Sequence, residues 1–243
     1  MQVYRIAEMN IAVDPRDART AEYLRDYRCD SSEYDLAIRV TDEMIAYERS
    51  LNLEIHGDPT EDWLCEAVAI LRVICDDIVK RGGFFLHCSC LRIDGQGVIF
   101  TAPSGTGKST HAALWRRVFG DRVEMINDDK PLVREKDGDF VIYGTPWNGK
   151  HRIGSNISAP IRAVFFLEQA QENSTEPLDP FTALSLLLQQ TVLPADRGNM
   201  TALLDMLGRL IERTPMFRLR CNISDDAALT SYRALKEAID TTP

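Results

Sequence analysis

No apolar run in the 243 residues approaches the roughly 20 needed to cross a bilayer as a helix. The opening stretch, Met1-Gln2-Val3-Tyr4-Arg5, lacks the apolar core of a secretory signal. A cytoplasmic chain with no membrane partner is therefore expected. No CxxC occurs among the six cysteines, at 29, 65, 75, 88, 90 and 221. Cys88 and Cys90 would share one face of a strand, which is poor geometry for a mutual disulfide. Free, mostly buried thiols are expected, and the spacings do not suit a structural zinc site. An excess of positive charge is also missing. The formal net charge of −9 argues against a nucleic-acid partner, although a local basic site stays open. Repeats and low-complexity tracts are absent.

What is present is the composition of an ordinary globular protein, 44% hydrophobic and 27% charged. The length suffices for one substantial core, or a core with a small appended lobe. Strand-like stretches run from Val3 to Val13 and from Tyr34 to Val40, around a short helix pattern at Thr20 to Arg28. Thr60 to Arg81 carries one apolar stripe, with Thr60 as cap and Gly82-Gly83 as stop. From there strands and helices alternate. Phe84–Ile93 reads as a strand, Asp94-Gly95-Gln96-Gly97 as a turn, Val98–Thr101 as a strand and Lys108–Phe119 as a helix closed by Gly120. Val123–Ile126 is a short strand, and Asp137-Gly138 turns a hairpin between Leu132–Glu135 and Phe140–Tyr143. Ile161–Leu167 is a strongly apolar strand, and residues 169–180 read as a polar surface loop. Helix patterns at Phe181–Leu193, Asn199–Arg213 and Ser224–Ile239 complete the chain, with a strand at Phe217–Cys221 before the last. Arg218 and Arg220 share one face of that strand and read as a solvated edge.

The most specific local signal is Ala102-Pro103-Ser104-Gly105-Thr106-Gly107-Lys108-Ser109, followed by Thr110. A loop that wraps a polyphosphate must point successive backbone N–H groups inward, through conformations that glycine adopts cheaply. Gly105 and Gly107 supply that freedom. The helix from Lys108 adds its positive end, Lys108 can reach the β- and γ-oxygens, and the Ser109 hydroxyl suits Mg²⁺. Ala102 stands where the motif has its first glycine. A chance match in a turn is the bland alternative, but an apolar strand before the loop and an amphipathic helix after it favour ATP with Mg²⁺.

About twenty residues beyond Lys108, a short apolar strand ends in Asn127-Asp128-Asp129. One acid could hold metal while the other accepts a proton from an attacking hydroxyl. A polar turn would use the same residues. His87, in Leu86-His87-Cys88-Ser89, would on its own be a satisfied core histidine. The segment 144–152 reads as a mobile substrate loop in which Lys150 or Arg152 neutralises a transferring phosphoryl group. Its alternative is a solvated turn with an exposed Trp147.

His-Cys-Ser, a short hairpin, Ser-Gly-Thr-Gly-Lys-Ser and then Asp-Asp together resemble the HPr kinase and phosphoenolpyruvate carboxykinase superfamily, over residues 84 to 167. The resemblance implies an α/β fold. Its core would be a P-loop nucleotide-binding domain with a mixed sheet and C-terminal helices, spanning 81–243 behind a small N-terminal α+β lobe, 1–80. It implies that His87 lies near the metal site, that Asp129 and Ser109 bind Mg²⁺, and that Asp128 acts as base. The chain is too short for a carboxykinase, and no arginines can be assigned to oxaloacetate. It looks most like the compact HPr-kinase-like proteins, some of which accompany bacterial peptide-modification systems. The implied activity is a serine-kinase-like phosphotransfer to a peptide, protein or small-molecule hydroxyl. The catalytic set would be Asp128, His87, Lys108 and Lys150. Ser104, Gly105, Thr106, Gly107, Lys108, Ser109 and Thr110 would hold the nucleotide. A non-catalytic ATP-binding accessory protein is the alternative, and a homo-oligomer is left open.

Overall fold

A computed structural model describes residues 1–57 and 59–241. The chain forms two compact units, Met1–Ile78 and Val79–Pro243.

The first unit opens with a hairpin of β1 (Gln2–Ile6) and β2 (Met9–Val13), turned at Ala7 and Glu8. Helix α1 (Ala18–Leu24) comes next, then two short strands, β3 (Arg28–Cys29) and β4 (Leu36–Ile38), which flank the hairpin in the order β3-β1-β2-β4. Helix α2 (Asp42–His56) has no counterpart in the periodicity, because its apolar positions form no broad stripe. Its ends are nevertheless written in the sequence. The Thr41 side chain accepts from Met44 N–H, Asp42 and Glu43 occupy the first turn, and Gly57 closes it at φ +75°. Helix α3 (Asp62–Ile78) makes its first backbone bonds to the Glu61 carbonyl, so it starts later than a Thr60 cap would require.

The second unit is built on a nine-stranded mixed sheet. Its strands are β5 (Gly83–Phe85), β6 (Cys88–Ile93), β7 (Gln96–Thr101), β8 (Val123–Asn127), β9 (Leu132–Lys136), β10 (Asp139–Tyr143), β11 (Ser158–Gln169), β12 (Ser174–Pro177) and β13 (Met216–Cys221). The order is β5-β9-β10-β11-β7-β6-β8, with β13 pairing both β11 and β12. The long strand β11 meets β10 antiparallel at Ser158–Pro160, then β7 and β13 in parallel. Side chains along β7 and β11 alternate between two cores. Ile99, Val164 and Phe166 face one, packed by α5 (Pro180–Leu188) and α6 (Arg197–Arg213). Phe100, Phe165 and Leu167 face the other, packed by α4 (Lys108–Phe119) and α7 (Asp225–Thr241). Burial on both faces is why these strands read as unbroken apolar runs.

Three expectations need correcting. Phe84–Ile93 is two strands, since β5 pairs with β9 whereas β6 pairs with β7 and β8, and the chain breaks at Leu86-His87. Residues 169–180 include β12, a polar strand whose backbone pairs antiparallel with β13. Arg218 and Arg220 therefore lie on an inner strand, bound to Glu168 and Glu176 from both neighbours. The cysteines are all free, as expected. No helix among the described residues is long and apolar enough to cross a membrane.

Inside the α4–α7 core, His111 is buried against Phe100 and Ser231, and burial pushes its pKa down to about 4. The unfolded chain binds a proton here below about pH 6.5 that the folded chain refuses until pH 4. His111 thus favours folding fully above pH 6.5, and that contribution, about 3 kcal/mol, is lost as pH falls towards 4. Denaturant unfolding at pH 7 and pH 4.5 should show a smaller difference for His111→Asn than for the unchanged chain.

Candidate active site

The loop after β7 enters α4 with Gly105 at φ +81° and Gly107 at φ +115°, a region costly for any side-chain-bearing residue. Gly107 is the N-cap and gives no side-chain cap to the first turn. The leading N–H groups of a twelve-residue helix are thus left to a ligand or solvent. Thr106 closes the loop on itself, its N–H and hydroxyl both donating to the Pro103 carbonyl. Gln169, at the end of β11, donates to the Thr106 carbonyl at 3.1 Å.

Lys108 is buried, and its Nζ donates to the Ala102 and Pro103 carbonyls at 2.8 and 3.3 Å. Burial lowers its pKa, against the pull of Cys88, Asp129 and Asp128, which favour the charge. An ammonium held at some desolvation cost inside a glycine loop suits a polyanion.

Beside the loop, β8 ends in Asn127, whose side chain shapes the turn through Asp128, Asp129 and Lys130. Its Oδ1 accepts from Asp129 and Lys130 N–H, both at 2.8 Å, while its Nδ2 donates to the Thr145 carbonyl and hydroxyl. The polar turn given as the alternative reading of Asn-Asp-Asp is present, and it is what presents the two carboxylates. Asp128, nearly buried, accepts from the buried Ser89 hydroxyl at 2.5 Å. Asp129 pairs with Lys130 and stands 3.5 Å from His87 Nε2. Replacing Asn127 with Ala should cost about 2–4 kcal/mol, because it strips four hydrogen bonds from a fully buried side chain. Denaturant unfolding reads that loss.

His87 sits in the break between β5 and β6. Its N–H donates to the Gln190 carbonyl at 2.7 Å, its Nδ1 meets Gln190 Oε1 at 3.2 Å, and its carbonyl accepts from Thr101. Helix α5 stops at Leu188, short of the expected Leu193, and the turn at its end carries Gln190 to His87. Burial, then Lys108, lowers the His87 pKa against the opposing effect of Asp129. The structure thus gathers His87, Asp128 and Asp129 within electrostatic reach of Lys108.

The segment 144–152 is more buried than its composition suggests. Thr145, Trp147 and Asn148 are buried, so the exposed tryptophan is a misreading. Lys130 N–H donates to the Trp147 carbonyl, and Gly149, at φ +72°, packs so closely that a Cβ there would meet Asp129 Cβ at 3.3 Å. Lys150 is exposed one residue further on, and no hydrogen bond or ion pair ties it to the carboxylates among the described residues. Sequence reasoning misses Ser89, Asn127, Lys130 and Gln190 as site residues. Asn127 has a usable signal, as the head of an Asx turn. Gln190 has no local signal, being 103 residues from its partner.

No group of three or more His, Cys, Asp or Glu is placed to hold a metal among the described residues. A search of curated proteins finds no match. Among solved structures, the chain is similar to the Hpr(Ser) kinase/phosphatase from Coxiella burnetii. That likeness has 12% identity and a TM-score of 0.38, covering 64% of this chain and 97% of that one, and is too weak to carry an argument. Residues 54–227, well over half of the chain and including the whole loop and carboxylate cluster, match the family described as SynChlorMet cassette protein ScmC. The chain belongs to the ScmC family.

Proposed function

We propose that the chain is a Mg-ATP-dependent phosphotransferase acting on a hydroxyl, with serine in a peptide, protein or small molecule as the expected acceptor. The observation that carries this reading is the buried Lys108 in an uncapped glycine loop beside Asp128, Asp129 and His87. Loop N–H groups and Lys108 would hold the triphosphate and stabilise its charge. Ser109 and Asp129 would hold Mg²⁺, which takes most of its oxygens from phosphates and water and needs no three-residue protein cage. Bound there, the ion supplies charge neutralisation at the phosphates. The acceptor oxygen attacks the γ-phosphorus, the bond to the β,γ-bridging oxygen breaks, and ADP leaves. Asp128 takes the hydroxyl proton, and His87 orients the acceptor. Lys150, on the exposed side of Gly149, is assigned to the incoming acceptor.

A second reading is an ATP-binding accessory protein without chemistry. It is favoured by the engagement of both carboxylates, Asp128 by Ser89 and Asp129 by Lys130. Membership of a cassette-protein family suits either reading, since such a protein has partner gene products to modify or to assist. Incubation of the chain with γ-labelled ATP, Mg²⁺ and serine-containing peptide, free serine or cell extract separates the two. Label on a hydroxyl acceptor supports the kinase. Label that leaves ATP only for water supports the accessory reading.

A further inference from the structure

A cavity of about 390 Å³ adjoins the glycine loop, between α4 and the ends of β11 and β13. Gly105, Thr106 and Gly107 form one wall, Leu114 and Leu167 line it from α4 and β11, and Ile223 from the segment after β13. The lining has no Asp, Glu, Lys or Arg, in contrast to the carboxylate and ammonium groups on the other side of the loop. Its polar amides are engaged. Asn222 donates to the Gln171 carbonyl and accepts from Ser224, and Gln169 donates to Thr106. Ile223 is 78% exposed although it belongs to a cavity wall, which leaves a large apolar surface without a covering group.

A second observation concerns His111, another lining residue. The Trp115 indole N–H donates to His111 Nε2 at 3.2 Å. The same indole N–H donates to Ser231 Oγ at 2.9 Å, and His111 Nε2 meets that oxygen at 3.0 Å, so Nε2 is engaged inside the core. The His111 Nδ1 is buried and has no hydrogen-bond partner among the described residues. A buried ring nitrogen left unmatched, whether as donor or acceptor, is costly enough to need a partner in the working state.

We propose that this cavity is the subsite for the nucleoside half of the nucleotide, a neutral, flat heterocycle with its ribose, packed between Leu114, Leu167 and Ile223. The size suits a small-molecule pocket, the apolar walls suit a base, and a ribose hydroxyl, which can donate or accept, supplies a partner for the unmatched imidazole nitrogen. The lining offers no Lys or Arg to a second phosphate or an acidic acceptor. The assignment rests on the loop being the phosphate site, and the two can fail separately.

The test is calorimetric titration of the full chain with Mg²⁺ and either ATP or inorganic tripolyphosphate. The unchanged chain should bind ATP at least about tenfold more tightly than tripolyphosphate. Ala170→Trp, which fills the cavity from its rim, should bring ATP down to the tripolyphosphate level and leave tripolyphosphate unchanged. Should the tryptophan weaken both ligands, Ile223→Ala decides without added bulk, and must weaken ATP several-fold while sparing tripolyphosphate. Wild-type ATP affinity in both variants overturns the subsite. Failure of the unchanged chain to bind either ligand overturns the phosphate loop itself, and the subsite with it.

Discussion

Replacing Asp128 with Asn is expected to lower phosphoryl transfer by about 10²–10⁴-fold while Mg-ATP affinity stays within about threefold of the unchanged chain. The substitution is nearly isosteric and keeps an oxygen that can accept from the buried Ser89 hydroxyl, so the fold and the Asn127 turn should survive. What it removes is the negative charge and the basicity that would take the acceptor proton. Asp129→Asn should behave differently and lose nucleotide affinity in the presence of Mg²⁺ as well as transfer, because Asp129 is assigned to the ion. Single-turnover transfer beside equilibrium binding separates the two. An equal loss of binding and transfer in Asp128→Asn would mean that the two carboxylates have been given each other's roles.

The second large effect is at Lys108. Lys108→Met should weaken ATP binding by about 30–150-fold, the value of a charge-assisted bond to phosphate of roughly 2–3 kcal/mol. Stability should move little, or upward. The ammonium is buried, and burial pulls its pKa below the ordinary lysine value, so the folded chain carries a cost for holding the charge there. A methionine of similar length removes that cost and forfeits the contacts to the Ala102 and Pro103 carbonyls. Thermal unfolding and ATP titration of the same variant test both halves. A large drop in melting temperature would assign Lys108 a structural role.

Much of the second unit is legible in the residues, for identifiable reasons. The helix Lys108–Phe119 and the turn at Asp137-Gly138 lie where the sequence puts them, because glycine at positive φ marks both boundaries. The apolar runs of β7 and β11 announce burial on two faces. Legibility fails where structure depends on distant partners. β12 is polar and exists because β13 lies beside it, and Trp147 looks like a loop tip until the Lys130 backbone is seen to hold it. The break at Leu86-His87 is hidden inside one apolar stretch, since nothing local says that β5 and β6 take different neighbours. At the site, the residue types in the loop and the carboxylate pair can be read directly. The residues that aim them, Ser89, Asn127 and Gln190, cannot, because their work is to touch segments far along the chain.

The most direct test is a crystal structure of the chain with Mg²⁺ and a non-hydrolysable ATP analogue. The triphosphate should lie along residues 104–110, with its γ-phosphoryl or metal within about 3–4 Å of Asp128 and Asp129. A triphosphate bound elsewhere, or one in the loop whose γ end points away from both aspartates, would contradict the kinase reading.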